Sequence, residues 1–240
     1  MLRICLSLRR LHAFVPILLL LLFLSGPLVA GEKYLAPNQP DGIALLPPPP
    51  ATNSAEYAAD LVSVRAVFKA RTPKEEIRAE KDANLSIYNF APAIGSFFQP
   101  GKFPKVDALF ENVRTNISEA INAPKNHWKR SRPYDVDPEL SLGKPEPSFS
   151  YPSGHSTRGT VQSLILAELF PEQRDAILLI GRNIGWDRVL IGKHFPTDVH
   201  AGRVLGRAIV RELKASPAFQ RDLAEAKAEV QAAQLEPALN

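Results

Sequence analysis

The 240-residue chain holds one cysteine, Cys5, and it lies before an apolar run near the N terminus. A chain cut after that run would hold no cysteine at all. It would form no disulfide, and its stability would rest on a packed core, for which the length suffices. Cys5 is also badly placed to carry a lipid after cleavage. No second apolar stretch is long enough to span a bilayer. Convincing period-2 alternation, internal repeats and a glycine-rich phosphate loop are all missing, so neither a sheet protein nor a nucleotide-loop enzyme is indicated. Net charge is scarce as well. The formal value is +4, but three arginines belong to residues 1–30. Beyond them 26 basic residues face 25 acidic ones, a net charge of about +1, which gives no support for nucleic-acid binding.

What is present begins at the N terminus. Arg3, Arg9 and Arg10 precede the apolar run Phe14 to Leu24; Ser25, Gly26 and Pro27 break it, and Ala30 and Gly31 are small. This is the layout of a secretory signal peptide over residues 1–30, with the cut near Ala30 or Gly31. The run is short for a span, which favours cleavage over an uncleaved anchor and leaves a soluble mature protein.

Residues 31–52 carry Pro37, Pro40 and the run Leu46-Pro47-Pro48-Pro49-Pro50. They read as an extended, polyproline-like segment packed on the body. Residues 53–240 read as one all-α domain. Asn53 with Glu56 suggests a capping box before a helix over 55–70. Thr72-Pro73-Lys74-Glu75 opens another, to about Tyr88. A loop is predicted over 89–104, a helix over 106–121 and ordered loop over 124–151. Helices over 154–169, 172–184, 196–214 and 217–234 follow, several opened by proline. The last is rich in Ala, Glu and Gln and suits packing or subunit contact.

Three segments place polar residues where loops meet helices: Lys125 to Arg132-Pro133, Tyr151-Pro152-Ser153-Gly154-His155, and Arg188 to His194 and Asp198. A phosphate monoester carries about two negative charges and needs several fixed donors. Lys125, Arg132 and Arg188 offer cations, and Ser153-Gly154 at a helix start offers a hydroxyl and free N–H groups. His194 lies just before a helix whose first turn holds Asp198, so the carboxylate can orient one ring nitrogen while the other attacks. His155 can protonate the leaving oxygen and later activate water. Taken singly, each residue has a plainer use as cap, helix charge or surface group. Their ordered spacing is what argues for a site.

The pattern KX6RP, PSGH and RX5HX3D resembles the type-2 phosphatidic acid phosphatase superfamily, which includes the vanadium haloperoxidases. Within it the LPPPP segment, FSYPSGH at 149–155 and the DVHAGR-like tail at 198–203 resemble the bacterial class A non-specific acid phosphatases. The resemblance covers most of residues 45–215. It implies an all-helical bundle and a periplasmic phosphatase acting on small phosphomonoesters, nucleotides or sugar phosphates among them. It implies His194 as phosphohistidine nucleophile, Asp198 as its partner and His155 as general acid. Lys125, Arg132, Ser153, Gly154 and Arg188 would hold phosphoryl oxygens. No metal ion or other cofactor is implied, and family members commonly form homo-oligomers. One position departs: the third block usually begins Ser-Arg, and here Asp187 precedes Arg188. That carboxylate is expected to weaken anion binding or to orient Arg188. His127, Trp128, Lys129 and Arg130 read as a solvated loop with one packed aromatic; His200 and Arg158 read as lying off the site. The same pocket would also suit a vanadate-dependent haloperoxidase, a lipid-phosphate or diphosphate phosphatase, or a non-catalytic phosphate-binding module.

Overall fold

The computed structural model describes residues 33–235, so the signal peptide read over residues 1–30 lies outside the described residues. Eleven α-helices and no strand occur among the described residues. They are α1 (Gly42–Leu45), α2 (Ala55–Ala70), α3 (Pro73–Asp82), α4 (Ala91–Ile94), α5 (Pro104–Asn116) and α6 (Ser118–Trp128). Then come α7 (Pro133–Val136), α8 (Gly154–Leu169), α9 (Arg174–Leu190), α10 (Pro196–Ala215) and α11 (Pro217–Leu235). The expected all-α class therefore holds.

Local chemistry explains most helix starts. Thr72 and Glu75 form a reciprocal capping box on α3, and proline opens α3, α5, α10 and α11. Other boundaries differ from expectation. The cap of α2 is Ser54, whose hydroxyl accepts from the Tyr57 N–H, and not Asn53. α3 stops at Asp82, and a short 3₁₀ turn with α4 occupies part of the expected loop over 89–104. The expected helix over 106–121 is two helices meeting at Ile117. α6 runs through Pro124 to Trp128, so Lys125 is helical rather than in a loop. α9 runs six residues beyond the expected 184, and so carries Arg188 on its last turn.

α8 packs along both α9 and α10 and forms the centre of the bundle. Its buried residues include Ser156, Thr157, Gly159 and Ser163 beside Val161, Ile165 and Leu166. Small side chains let neighbouring helices approach. On α10 a Cβ at Gly202 would stand 2.6 Å from the Ser153 carbonyl oxygen, so glycine there sets the α8–α10 spacing. Phe98 anchors the aromatic core, with ring centroids 5.4 Å from Phe170 and 5.7 Å from Phe103. α11 buries Phe219, Leu223, Ala226 and Val230, a stripe of helical period, and packs chiefly on α5 and α10. That accounts for the Ala/Glu-rich helix as intramolecular packing.

Residues 33–52, expected to be extended, carry the short helix α1 capped by Asp41 and join the same core. Tyr34, Leu35 and Leu46 are buried, and the Tyr151 hydroxyl donates to the Pro47 carbonyl at 2.6 Å. A second apolar cluster of Val64, Leu140, Val189, Phe195 and Val199 joins α2, α9 and α10. No helix among the described residues is long and apolar enough to cross a membrane.

Candidate active site

The turn after α9 depends on one glycine. Gly192 has φ 67°, and a Cβ there would meet the Leu140 carbonyl oxygen at 2.1 Å. The turn folds back so that Lys193 and His194 N–H groups donate to the Arg188 carbonyl at 2.8 and 3.1 Å. Arg188 and His194, six residues apart in sequence, are thereby joined through the backbone.

His194 is 1% exposed. Its Nδ1 lies 3.3 Å from Asp198 Oδ2, and its Nε2 lies 3.3 Å from Arg132 Nη1. Asp198 is held in turn: Oδ2 accepts from the Phe195 N–H at 2.9 Å and from the Ser150 hydroxyl at 2.5 Å. The Phe195 contact also caps α10. Burial, then Arg132, Lys125 and Arg188, push the His194 imidazole well below its ordinary range and keep it neutral. With Nδ1–H facing the carboxylate, the lone pair is on Nε2, the nitrogen that faces Arg132.

Three cations act on this ring. Arg132 donates to the carbonyls of Ser148 at 2.8 Å and Lys193 at 2.9 Å. Lys125 Nζ donates to the Phe149 carbonyl at 2.5 Å, and burial, then Arg132, lowers its pKa to about 7. Arg188 is 2% exposed, and its Nε and Nη1 have no hydrogen-bond partner. Glu146 spans the two arginines: Oε2 lies 2.8 Å from Arg132 Nη2, and Oε1 pairs with Arg188 Nη2. Burial pushes the Glu146 carboxyl up, but Arg188 and then Arg132 outweigh it and hold it at about 2. One anion thus already sits between the two arginines.

Ser153 and Gly154 open α8. The Ser153 hydroxyl accepts from the Ser156 N–H at 3.3 Å, the ordinary cap bond, and keeps its own proton to donate. A Cβ at Gly154 would lie 3.7 Å from Lys125 Cε, in ordinary contact, so sterics alone do not demand glycine there. His155 follows on the first turn. Its Nε2 lies 3.2 Å from the Ala83 carbonyl, and burial, then Arg188, lowers its pKa to about 4. The structure therefore gathers His194, Asp198, Lys125, Arg132 and Arg188 tightly, with His155 at the edge through Glu146 and Arg188. Among the described residues no group of three or more His, Cys, Asp or Glu can hold a metal ion; the converging groups are cationic and suit an anion.

Two sequence expectations need correction. Arg130 is not solvated: it is buried and pairs with Asp198 Oδ1 at 2.6 Å and Asp60 Oδ2 at 2.9 Å. Lys129 next to it adopts φ 49° as it ends α6, and the chain then carries Arg130 inward while His127 and Lys129 stay exposed. Asp187, expected to act on Arg188, instead accepts two bonds from Arg78 of α3, at 2.6 and 2.8 Å. Trp128 packs edge-on to Tyr151 with centroids 5.1 Å apart, and His200 is exposed, both as read. Arg158 is half-buried. Glu146, Asp60 and Ser150 were missed. Only Ser150 had a signal, as part of the FSYPSGH stretch.

The chain matches the family model described as PAP2 superfamily over residues 110–221. It is 33% identical over 201 residues to a non-specific acid phosphatase of Salmonella typhimurium, covering 77% of this chain and 78% of that one. It is 32% identical to a non-specific acid phosphatase of Providencia stuartii, covering 79% and 80%. An acid phosphatase of Zymomonas mobilis matches at 30%, covering 80% and 76%. Among solved structures, a transmembrane PAP2-type phosphatidylglycerolphosphate phosphatase from Bacillus subtilis superposes with TM-score 0.51 at 24% identity, covering 68% of this chain and 87% of that one. That likeness concerns the helical fold alone. Matched along most of its length to acid phosphatases, and with all three motif blocks folded around one anionic position, the chain belongs to the PAP2 superfamily as an acid phosphatase of the bacterial class A non-specific kind.

Proposed function

We propose that this acid phosphatase is an exported, broad-specificity phosphomonoesterase that works through a phosphohistidine at His194. The observation that carries this reading is the meeting of Arg132 and Arg188 on one carboxylate, beside a neutral His194 whose Nε2 lies 3.3 Å from Arg132 Nη1. A phosphoryl group replaces Glu146 there, its oxygens taken by Arg132, Arg188, Lys125 and the N–H groups at the start of α8. Nε2 attacks phosphorus, the ester P–O bond breaks, and its electron pair leaves on the alkoxide, which takes a proton from His155. Asp198 stabilises the charge that forms on the ring. Neutral His155 then removes a proton from water, which attacks the phosphohistidine and releases inorganic phosphate. An alcohol in place of water gives phosphotransfer as a side activity.

The electrostatics favour acid conditions. His194 stays neutral well below its ordinary range, whereas His155, at about 4 in the empty site, needs acid or a bound dianion to carry its proton. Export rests on the basic and apolar N terminus, and points to the periplasm. The test is hydrolysis of p-nitrophenyl phosphate in EDTA by the parent and His194→Ala, with alkaline-quench trapping of the phosphoenzyme from labelled substrate. The parent should yield an acid-labile phosphoenzyme and the variant neither label nor turnover. Full activity in the variant would overturn the assignment.

A further inference from the structure

We infer that Arg130 and Asp60 are positioning residues of the reaction, forming a buried chain Asp60–Arg130–Asp198 that sets the orientation and basicity of His194. This rests on the reading of His194 as nucleophile. Arg130 Nη1 donates to Asp198 Oδ1 at 2.6 Å and to the Thr197 hydroxyl at 2.8 Å; Nη2 donates to Asp60 Oδ2 at 2.9 Å. Asp60 Oδ1 accepts from the Thr197 N–H at 3.2 Å, and Oδ2 accepts from the Thr197 hydroxyl. The guanidinium carbon stands 4.0 Å from the Phe195 ring centroid and 5.7 Å from that of Tyr57. The whole chain is dry: Arg130 is 7% exposed, Asp60 5% and Asp198 0%.

Stability alone is a poor reason for such an arrangement. Desolvating three charges costs more than apolar packing of the same volume, and Arg130 Nε remains without a partner. The geometry does serve Asp198. Its Oδ2 faces Nδ1 of His194, and its Oδ1 is occupied by Arg130. Both oxygens are thereby fixed, and so is the plane of the ring that they orient. The charges matter equally. A bare Asp198 would favour the doubly protonated imidazolium, which has no lone pair for attack. Arg130 draws off part of that negative charge, and Asp60 limits how much it draws. The other charged groups facing His194 are Arg132, Lys125, Arg188 and Glu146, and they remain in every variant below.

Opposite shifts follow from the two ends of the chain. In Arg130→Gln the uncompensated Asp198 raises the basicity of His194, so the acid limb of kcat/KM moves to higher pH. In Asp60→Asn the guanidinium acts wholly on Asp198, so the limb moves to lower pH. Loss of orientation in Arg130→Gln should also lower kcat by roughly 100-fold, while KM for p-nitrophenyl phosphate stays within about threefold because the phosphate donors are untouched. Arg130→Lys, with a point charge in place of the fork, should recover part of kcat. In an Asp198→Asn background Arg130→Gln should add little, since it acts through that carboxylate.

The experiment is pH–rate profiling of these full-length variants, with unfolding followed by circular dichroism. An unchanged acid limb and kcat in folded Arg130→Gln, limbs moving the same way in both variants, or effects that multiply with Asp198→Asn would overturn the inference. If Arg130→Gln does not fold, Asp60→Asn, nearly the same shape, decides by the direction of its limb. Activity surviving in His194→Ala would instead remove the premise, which separates the two failures.

Discussion

Glu146 offers the sharpest test of how the site is kept when empty. Its carboxylate bridges Arg132 and Arg188, each 2% exposed in its side chain, while its own side chain is 24% exposed. A phosphoryl group that needs both arginines must displace it. The apparent affinity for phosphate is then the intrinsic affinity reduced by the fraction of molecules in which Glu146 has swung away. A solvent-exposed ion pair is worth up to about 1 kcal/mol, and hydrogen bonds to charged groups about 1.5–3 kcal/mol. Discounted for the exposed glutamate, the bridge is worth about 1–2 kcal/mol, or roughly 5- to 30-fold in affinity. The expectation is that Glu146→Ala and Glu146→Gln lower the competitive inhibition constant of inorganic phosphate by that factor. Both should also lower Tm without phosphate, because two buried arginines lose their counterion, and should regain more Tm than the parent when phosphate is added. The carboxyl at about 2 stays charged across any practical assay, so the gap should hold constant from pH 4 to 7. An inhibition constant within twofold of the parent, or a weaker one, would refute the reasoning and make Glu146 part of the filled cradle.

Three further outcomes follow from the same geometry. Asp187→Ser, which restores the residue usual at this position, should destabilise the protein by roughly 1–3 kcal/mol in urea unfolding, because Arg78 loses both carboxylate contacts that tie α3 to α9; a gain in stability would contradict that tie. Acidification should lower Tm between about pH 6.5 and 4, since His194 and His155 are held below the unfolded value near 6.5 and the unfolded chain binds the extra protons. The slope is up to about 1.4 kcal/mol per pH unit for each histidine, and a Tm that is flat or rises on acidification would exclude neutral burial. Phosphate affinity should weaken above about pH 7 as Lys125 loses its proton, and Lys125→Met should abolish that limb; a limb that persists belongs to another group.

The distribution of what was readable follows from distance along the chain. The helices opened by Pro73, Pro196 and Pro217 were legible because caps and proline act on neighbouring residues. So was the core of the site, because Arg188, His194 and Asp198 lie within one turn-and-helix unit. The break at Ile117 and the passage of α6 through Pro124 were not, since packing there overrides the usual effect of proline. Arg130 sat among exposed His127 and Lys129 and shared their polar look.

The amino-acid order by itself determined the all-α class, the three motif blocks and the identity of the cations that the fold gathers beside His194, because each depends on short-range spacing. Only the tertiary structure decided which charges neutralise one another. Arg130 finds Asp60 across 70 residues, Arg78 finds Asp187 across 109, and Glu146 finds Arg188 across 42. A charge looks solvated in sequence whatever its fate. It becomes part of a site only when the packing of remote helices removes water and leaves one partner within reach.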